Sequence, residues 1–158
     1  MHIDEVVRIG DALRARKQTV ALAESCTGGL IAAALTDVAG SSDWFGWGFV
    51  SYANAAKQAM LGVRAETLAT FGAVSRETVL EMAEGARRVA SADWGVAVSG
   101  IAGPGGGSAG KPVGTVWIAV AGPDGGQACC RLFTGDRKAV RAQTVSAALA
   151  LLAARLAV

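Results

Sequence analysis

Apolar positions recur at helical spacing over residues 4–17. Val6, Val7, Ile9 and Leu13 form one stripe, and Arg and Lys collect late, where a helix dipole favours cations. TVALAE at 19–24 is short and apolar and predicts a strand. TGGLIAAALTDVAG at 27–40 is rich in Ala and Leu and closes on Gly40, which predicts a helix with a glycine stop. WFGWGFVSY at 44–52 is aromatic and β-branched and predicts a second strand. NAAKQAMLG at 54–62 and AETLATFG at 65–72 predict short helices, and Ser75 caps a longer one running to Ala90. WGVAVSG at 94–100 has the continuous apolar pattern of a buried strand, and a glycine-rich loop, IAGPGGGSAGKP, follows at 101–112. VGTVWIAVAG at 113–122 and GQACCRLFTG at 126–135 predict a hairpin around a PDG turn. Asp136 caps a last helix with Val140, Val145, Leu149, Leu152 and Leu156 on its apolar face.

The order α-β-α-β-α-α-β-β-β-α predicts a three-layer α/β/α domain with a mixed, mostly parallel sheet and a C-terminal hairpin plus helix. No linker, repeat or boundary interrupts it, so residues 1–158 read as one domain. That length buries roughly 70% of the surface of the unfolded chain. A hydrophobic share of 52% against 18% charged argues for a packed globule. Fifteen Lys and Arg against 13 Asp and Glu leave a net charge of +2, too balanced to argue for direct nucleic-acid contact or a membrane surface. The apolar runs are interrupted by glycine or charge, and none reads as a membrane span.

Cys26, Cys129 and Cys130 are an odd number, two of them adjacent, with neither disulfide-framework nor zinc spacing, and a reducing, cytoplasmic setting is expected. Adjacent strand residues face opposite ways, so Cys129 and Cys130 are expected to be small fillers rather than a redox pair. The four tryptophans, Trp44, Trp47, Trp94 and Trp117, read as core or interface anchors. The one histidine, His2, sits at the terminus, which argues against Ser-His-Asp, Cys-His and histidine-rich metal sites within this chain.

AESCTGG, at the junction of the first strand and second helix, places Ser25, Cys26 and Thr27 at the carboxyl end of a strand, where open α/β sheets bind ligands. Gly28 and Gly29 leave the following helix N-terminus unshielded, so its N–H groups can receive an oxyanion or a phosphate. As a structural junction alone, Ser25 or Thr27 would cap the helix. SYANAAK brings Tyr52, Asn54 and Lys57 to a second strand–helix junction, where Lys57 is either an exposed lysine or, desolvated among apolar neighbours, a base for Ser25. Gly105, Gly110 and Lys111 have P-loop spacing, but Pro112 and a β-type run follow where a P-loop needs a helix, so that reading is rejected. The loop can still form an anion nest or a substrate lid. Arg137 and Arg141 lie four apart on one helix face, the spacing of a phosphate clamp or of an ordinary solvated face.

Together the stretches AESCTGGLIAAALTDVAGSSDWF, GFVSYANAAKQAMLGV, GAVS, SGIAGPGGGS, KPVGTVWIA and GDRKAVR resemble the CinA C-terminal-domain family, whose stand-alone members are nicotinamide-nucleotide amidases. The resemblance covers residues 5–155. It implies an α/β/α fold and deamidation of nicotinamide mononucleotide, a small-molecule nucleotide, to nicotinate mononucleotide. It further implies no metal or other cofactor, and a homo-oligomer, expected to be a dimer. Catalytic roles carry over to Ser25, Lys57 and Tyr52. Substrate-binding roles carry over to Thr27, Gly28, Gly29, Ser99, Gly100, Gly103, Arg137 and Arg141. The roles expected are nucleophile for Ser25 and base for Lys57, with proton return by Lys57 or Tyr52. The 27–40 helix end is expected to hold the oxyanion and the arginines or the glycine-rich loop the phosphate. One departure is Gly105, where the family often has an acid. The alternatives are a Cys26-dependent amidase, with Lys57 and Glu24 assisting, and a non-catalytic binding or regulatory module linked to competence or the DNA-damage response.

Overall fold

The computed structural model, which describes residues 2–158, runs α1 (Ile3–Arg16), β1 (Val20–Glu24), α2 (Leu30–Thr36), β2 (Phe45–Val50), α3 (Asn54–Leu61), α4 (Ala65–Phe71), α5 (Arg76–Val89), β3 (Trp94–Gly100), β4 (Thr115–Gly122), β5 (Gly125–Leu132) and α6 (Arg137–Leu156). The five strands form one mixed sheet in the order β2-β1-β3-β4-β5. β1 pairs in parallel with β2 and β3, while β3–β4 and β4–β5 are antiparallel. Four of the five strands therefore run the same way and only β4 opposes them, with the pairings split two and two.

Alternation along the strands sorts the layers. Val20, Leu22, Val96, Val98, Ile118 and Val120 point to one face, where α1, α2 and α6 pack. Ala21, Ala23, Ala97, Ala119 and Ala121 point to the other, against α5 and its neighbours α3 and α4. A surface of alanines has little relief, so α5 lies close to the sheet. Gly85 does the same for α3: a Cβ there would stand 2.0 Å from the Leu61 carbonyl oxygen. This close approach delivers α3, and with it Lys57, to the end of the sheet.

The predicted caps form as expected. Ser75 Oγ accepts from the Thr78 N–H, and Asp136 Oδ1 from the Ala139 N–H. α6 is long and apolar enough to cross a membrane by length and composition, but Val140, Val145, Ala148, Leu149, Leu152 and Leu156 are buried within the domain. Trp44 and Trp94 are core residues, Trp117 is partly buried, and Trp47 is 54% exposed on the open edge of β2. Cys129 packs against the α6 face of the core while Cys130 is exposed, the opposite facing that adjacent strand residues dictate.

The second helix departs from expectation. It spans Leu30–Thr36 rather than 27–40, and residues 25–29 form a tight turn. Gly28 and Gly29 take positive φ values of +58° and +108° there, a region that side-chain-bearing residues rarely adopt.

Candidate active site

β1 ends at Glu24, and the chain then presents successive side chains to opposite sides of the sheet end. Glu24 turns to the α2 side. Its carboxylate accepts from the Thr27 hydroxyl at 2.5 Å and from the N–H groups of Gly29, Ile31 and Ala32 at 3.2, 3.0 and 2.9 Å. The helix cap is thus the acid at the end of the preceding strand, not Ser25 or Thr27. This narrows the expectation that the start of the 27–40 segment offers its N–H groups to substrate, because a carboxylate already takes those of Gly29, Ile31 and Ala32. Glu24→Leu would leave three amides and a hydroxyl without an acceptor. We expect that variant to lose about 3 kcal/mol or more of stability, roughly 10 °C in Tm by differential scanning calorimetry.

Ser25 turns the other way, toward α3. Its N–H donates to the Val98 carbonyl at 3.2 Å, which ties the turn to β3. Lys57 Nζ lies 3.0 Å from Ser25 Oγ, 2.8 Å from the Ser51 carbonyl oxygen and 3.0 Å from that of Tyr52. Lys57 is only 1% exposed. Burial pulls its pKa below the ordinary lysine value of 10.5, against an opposing pull from nearby Cys26. Among the described residues no carboxylate forms an ion pair with it.

Cys26, though close enough to act on Lys57, makes no hydrogen bond to it. It packs into the core on the α6 side, and burial pushes its thiol up to about 11, so it is protonated at neutral pH. The neighbouring Ser25 and Cys26 therefore part company: the hydroxyl meets the lysine and the thiol enters the core.

Tyr52 joins the site through its main chain, whose carbonyl holds Lys57. Its phenol, 58% exposed, accepts from Arg137 Nη2 at 3.0 Å and makes no hydrogen bond to Ser25 or Lys57. Arg137 Nη1 also donates to the Gly103 carbonyl at 2.8 Å. Arg141 donates through Nε to the Cys26 carbonyl at 3.0 Å and through Nη2 to the Thr27 carbonyl at 3.1 Å. Beside these arginines lies a cleft of about 630 Å³ lined by Ala102, Pro104, Val113, Asp136, Arg137, Lys138 and Arg141. Ser25 and Lys57 do not line it; Arg137 and Arg141 reach from it to their chain neighbours, Tyr52 for the one and Cys26 and Thr27 for the other.

The sequence profile of the CinA C-terminal domain matches residues 4–156. The chain belongs to the CinA C-terminal domain family. It is 57% identical over 143 residues to the nicotinamide-nucleotide amidohydrolase PncC of Escherichia coli strain K12, covering 90% of this chain and 87% of that one. A CinA-like protein of Anaeromyxobacter dehalogenans is 56% identical over 89% of this chain, which corresponds to 34% of that longer protein. The crystal structure of the competence/damage inducible protein CihA from Agrobacterium tumefaciens superposes with a TM-score of 0.92 at 50% identity, covering 96% of this chain and 93% of that one. A CinA-superfamily protein from Klebsiella pneumoniae superposes with a TM-score of 0.93 at 44% identity, over 98% and 96%.

In this CinA-family chain the remaining candidates divide by role. Gly103 reaches the site through its carbonyl, bound by Arg137. Gly100 pairs with Val116 of β4, and a Cβ there would stand 2.5 Å from Val116 Cγ2. Ser99 is buried in β3 beside the strand end. Gly105 faces open space, so no packing contact depends on it. Sequence reasoning missed two groups. Lys138 lines the cleft and forms no ion pair among the described residues; its position beside Arg137 in GDRKAVR was the available signal. Glu24 was read only as a possible assistant to a cysteine; it caps N–H groups of Gly29, Ile31 and Ala32, beyond the reach of local capping rules, so no sequence signal marked that role.

Proposed function

We propose that this protein hydrolyses the carboxamide of nicotinamide mononucleotide, giving nicotinate mononucleotide and ammonia, with Ser25 as nucleophile and Lys57 as its base. The observation that carries this reading is the 3.0 Å contact from Lys57 Nζ to Ser25 Oγ in a buried site without histidine. The relatives named for nicotinamide-nucleotide amidohydrolysis supply the substrate class.

A neutral lysine has two N–H groups and one lone pair. The carbonyls of Ser51 and Tyr52 take the two N–H groups, and the lone pair is left for the Ser25 hydroxyl. Lys57 accepts the Ser25 proton as Oγ bonds to the amide carbon, and the carbonyl electron pair moves onto its oxygen. Collapse of that intermediate breaks the C–N bond, and the leaving nitrogen departs as ammonia with the proton from Lys57. Water then attacks the acyl-serine, again giving its proton to Lys57, which returns it to Ser25 Oγ as the carboxylate leaves. Lys57 serves both proton transfers, since it is the group in hydrogen-bond contact with Ser25 Oγ and the Tyr52 phenol is not.

The cationic cleft suits the phosphate. Lys138 is free to bind it, and Arg137 lies beside it. Purified protein given nicotinamide mononucleotide is expected to release one ammonia per nicotinate mononucleotide formed, read by a coupled ammonia assay and by mass spectrometry. Protein that folds and releases no ammonia would defeat the proposal.

A further inference from the structure

We infer that Arg141 is a positioning residue for the oxyanion: by holding the Cys26 carbonyl it aims the Thr27 N–H at the reacting centre. The inference rests on the amidase reading of Ser25 and Lys57.

Hydrogen-bond accounting in the turn leads to it. Glu24 consumes the N–H groups of Gly29, Ile31 and Ala32, and a carboxylate at that helix end would repel a second negative charge. The Ser25 N–H goes to Val98, the Gly28 N–H to the Ser25 carbonyl and the Leu30 N–H to the Thr27 carbonyl. The Cys26 N–H lies against its own thiol, and the Thr27 N–H remains, without a partner among the described residues although Thr27 is fully buried. Buried main-chain donors are rarely left unpaired, so one beside a nucleophile points to an acceptor that arrives with substrate.

Arg141 is the group that sets the direction of the Thr27 N–H. The Cys26 carbonyl and the Thr27 N–H belong to one planar peptide, and that peptide is trans, the cis bond among the described residues being Gly103–Pro104. In a trans peptide the C=O and N–H vectors oppose one another. Arg141 comes from α6 and pulls the Cys26 carbonyl toward that side. The Thr27 N–H is therefore turned away from α6, to the side where Ser25 Oγ meets Lys57 of α3. The second bond, to the Thr27 carbonyl, holds the next peptide so that the turn cannot rock. A guanidinium is charged throughout the working pH range and polarises the amide it holds, which strengthens the N–H at its far end.

Arg141 also lines the cationic cleft, so its place in the fold equally invites the role of phosphate ligand. The two roles separate kinetically. Arg141→Ala is expected to lower kcat about 10²–10³-fold. KM for nicotinamide mononucleotide should move little, and kcat should fall as far on the nucleoside that lacks the phosphate. Arg141→Lys sharpens the comparison and guards against a folding defect in the alanine variant. It keeps the positive charge that a phosphate would need but loses the planar fork that holds two carbonyls. It is expected to bind the mononucleotide normally while kcat falls. A rise in KM confined to the phosphorylated substrate, with kcat kept, would overturn the inference, as would a lysine variant with wild-type kcat. Wild-type protein that releases no ammonia would instead defeat the amidase reading, and this inference with it.

Discussion

Ser25→Ala is expected to lower kcat for deamidation by about 10⁴–10⁶-fold, the scale seen when a nucleophile is removed from an otherwise intact site. Cys26→Ala is expected to stay within about tenfold of wild type, or ~1.4 kcal/mol in barrier. The contrast follows from where the two side chains go. Ser25 Oγ is 3.0 Å from Lys57 Nζ, while the Cys26 thiol is buried in the α6-side core and protonated at neutral pH. An acylated species should accumulate only on Ser25, so trapping by acid quench and peptide mass spectrometry checks the same point. Activity that survives in Ser25→Ala and disappears in Cys26→Ala would reverse the assignment.

Lys57→Met should cost about 10²–10⁴-fold in kcat/KM, the range for a positioned general base. The pH profile gives the sharper test. On the proposed mechanism Lys57 acts in its neutral form, so kcat/KM of the wild type should rise with pH and level off above the lysine pKa. Burial lowers that pKa, so the midpoint should fall below the ordinary 10.5. Methionine fills much the same volume but has no proton to exchange, and the residual rate of the variant should lose this limb. The Ser51 and Tyr52 carbonyls would be left without their donor, so the variant's near-UV circular dichroism must match wild type before the rate is read.

Much of the fold was legible from short-range rules. The alternation VALA, VAV and IAVA already sorts bulky residues from alanines, and in the folded chain these become the two faces of the sheet. Ser75 and Asp136 cap the helices they precede, because a cap needs only a side-chain oxygen two or three residues from the N–H it accepts. The second helix was misjudged for the opposite reason. Its Ala- and Leu-rich run has helical propensity from Thr27 onward, but the Glu24 carboxylate and two glycines at positive φ delay the start to Leu30.

The candidate site was legible as a list of groups and not as an arrangement. With His2 at the terminus, counting residue types directed attention to Lys57, and strand–helix junctions marked where Ser25 and Lys57 belong. The roles of the arginines were not legible. Arg137 and Arg141 share a helix face as their spacing demands, yet both spend donors on groups far off in the chain: Gly103 and Tyr52 for one, Cys26 and Thr27 for the other.

By itself, then, the sequence determined the order of elements, the two faces of the sheet, the capped starts of α5 and α6, and the short set of side chains able to do amide chemistry. These depend on periodicity and on contacts within a few residues. Only the tertiary structure decided which neighbour meets Lys57 and which amide stays free. Ser25 and Cys26 point to opposite sides of the strand end, but the side carrying Lys57 is set by how α3 crosses α5. Each N–H in the turn can serve one acceptor well, and Glu24 and Arg141 settle that competition across the turn and across 115 residues of chain.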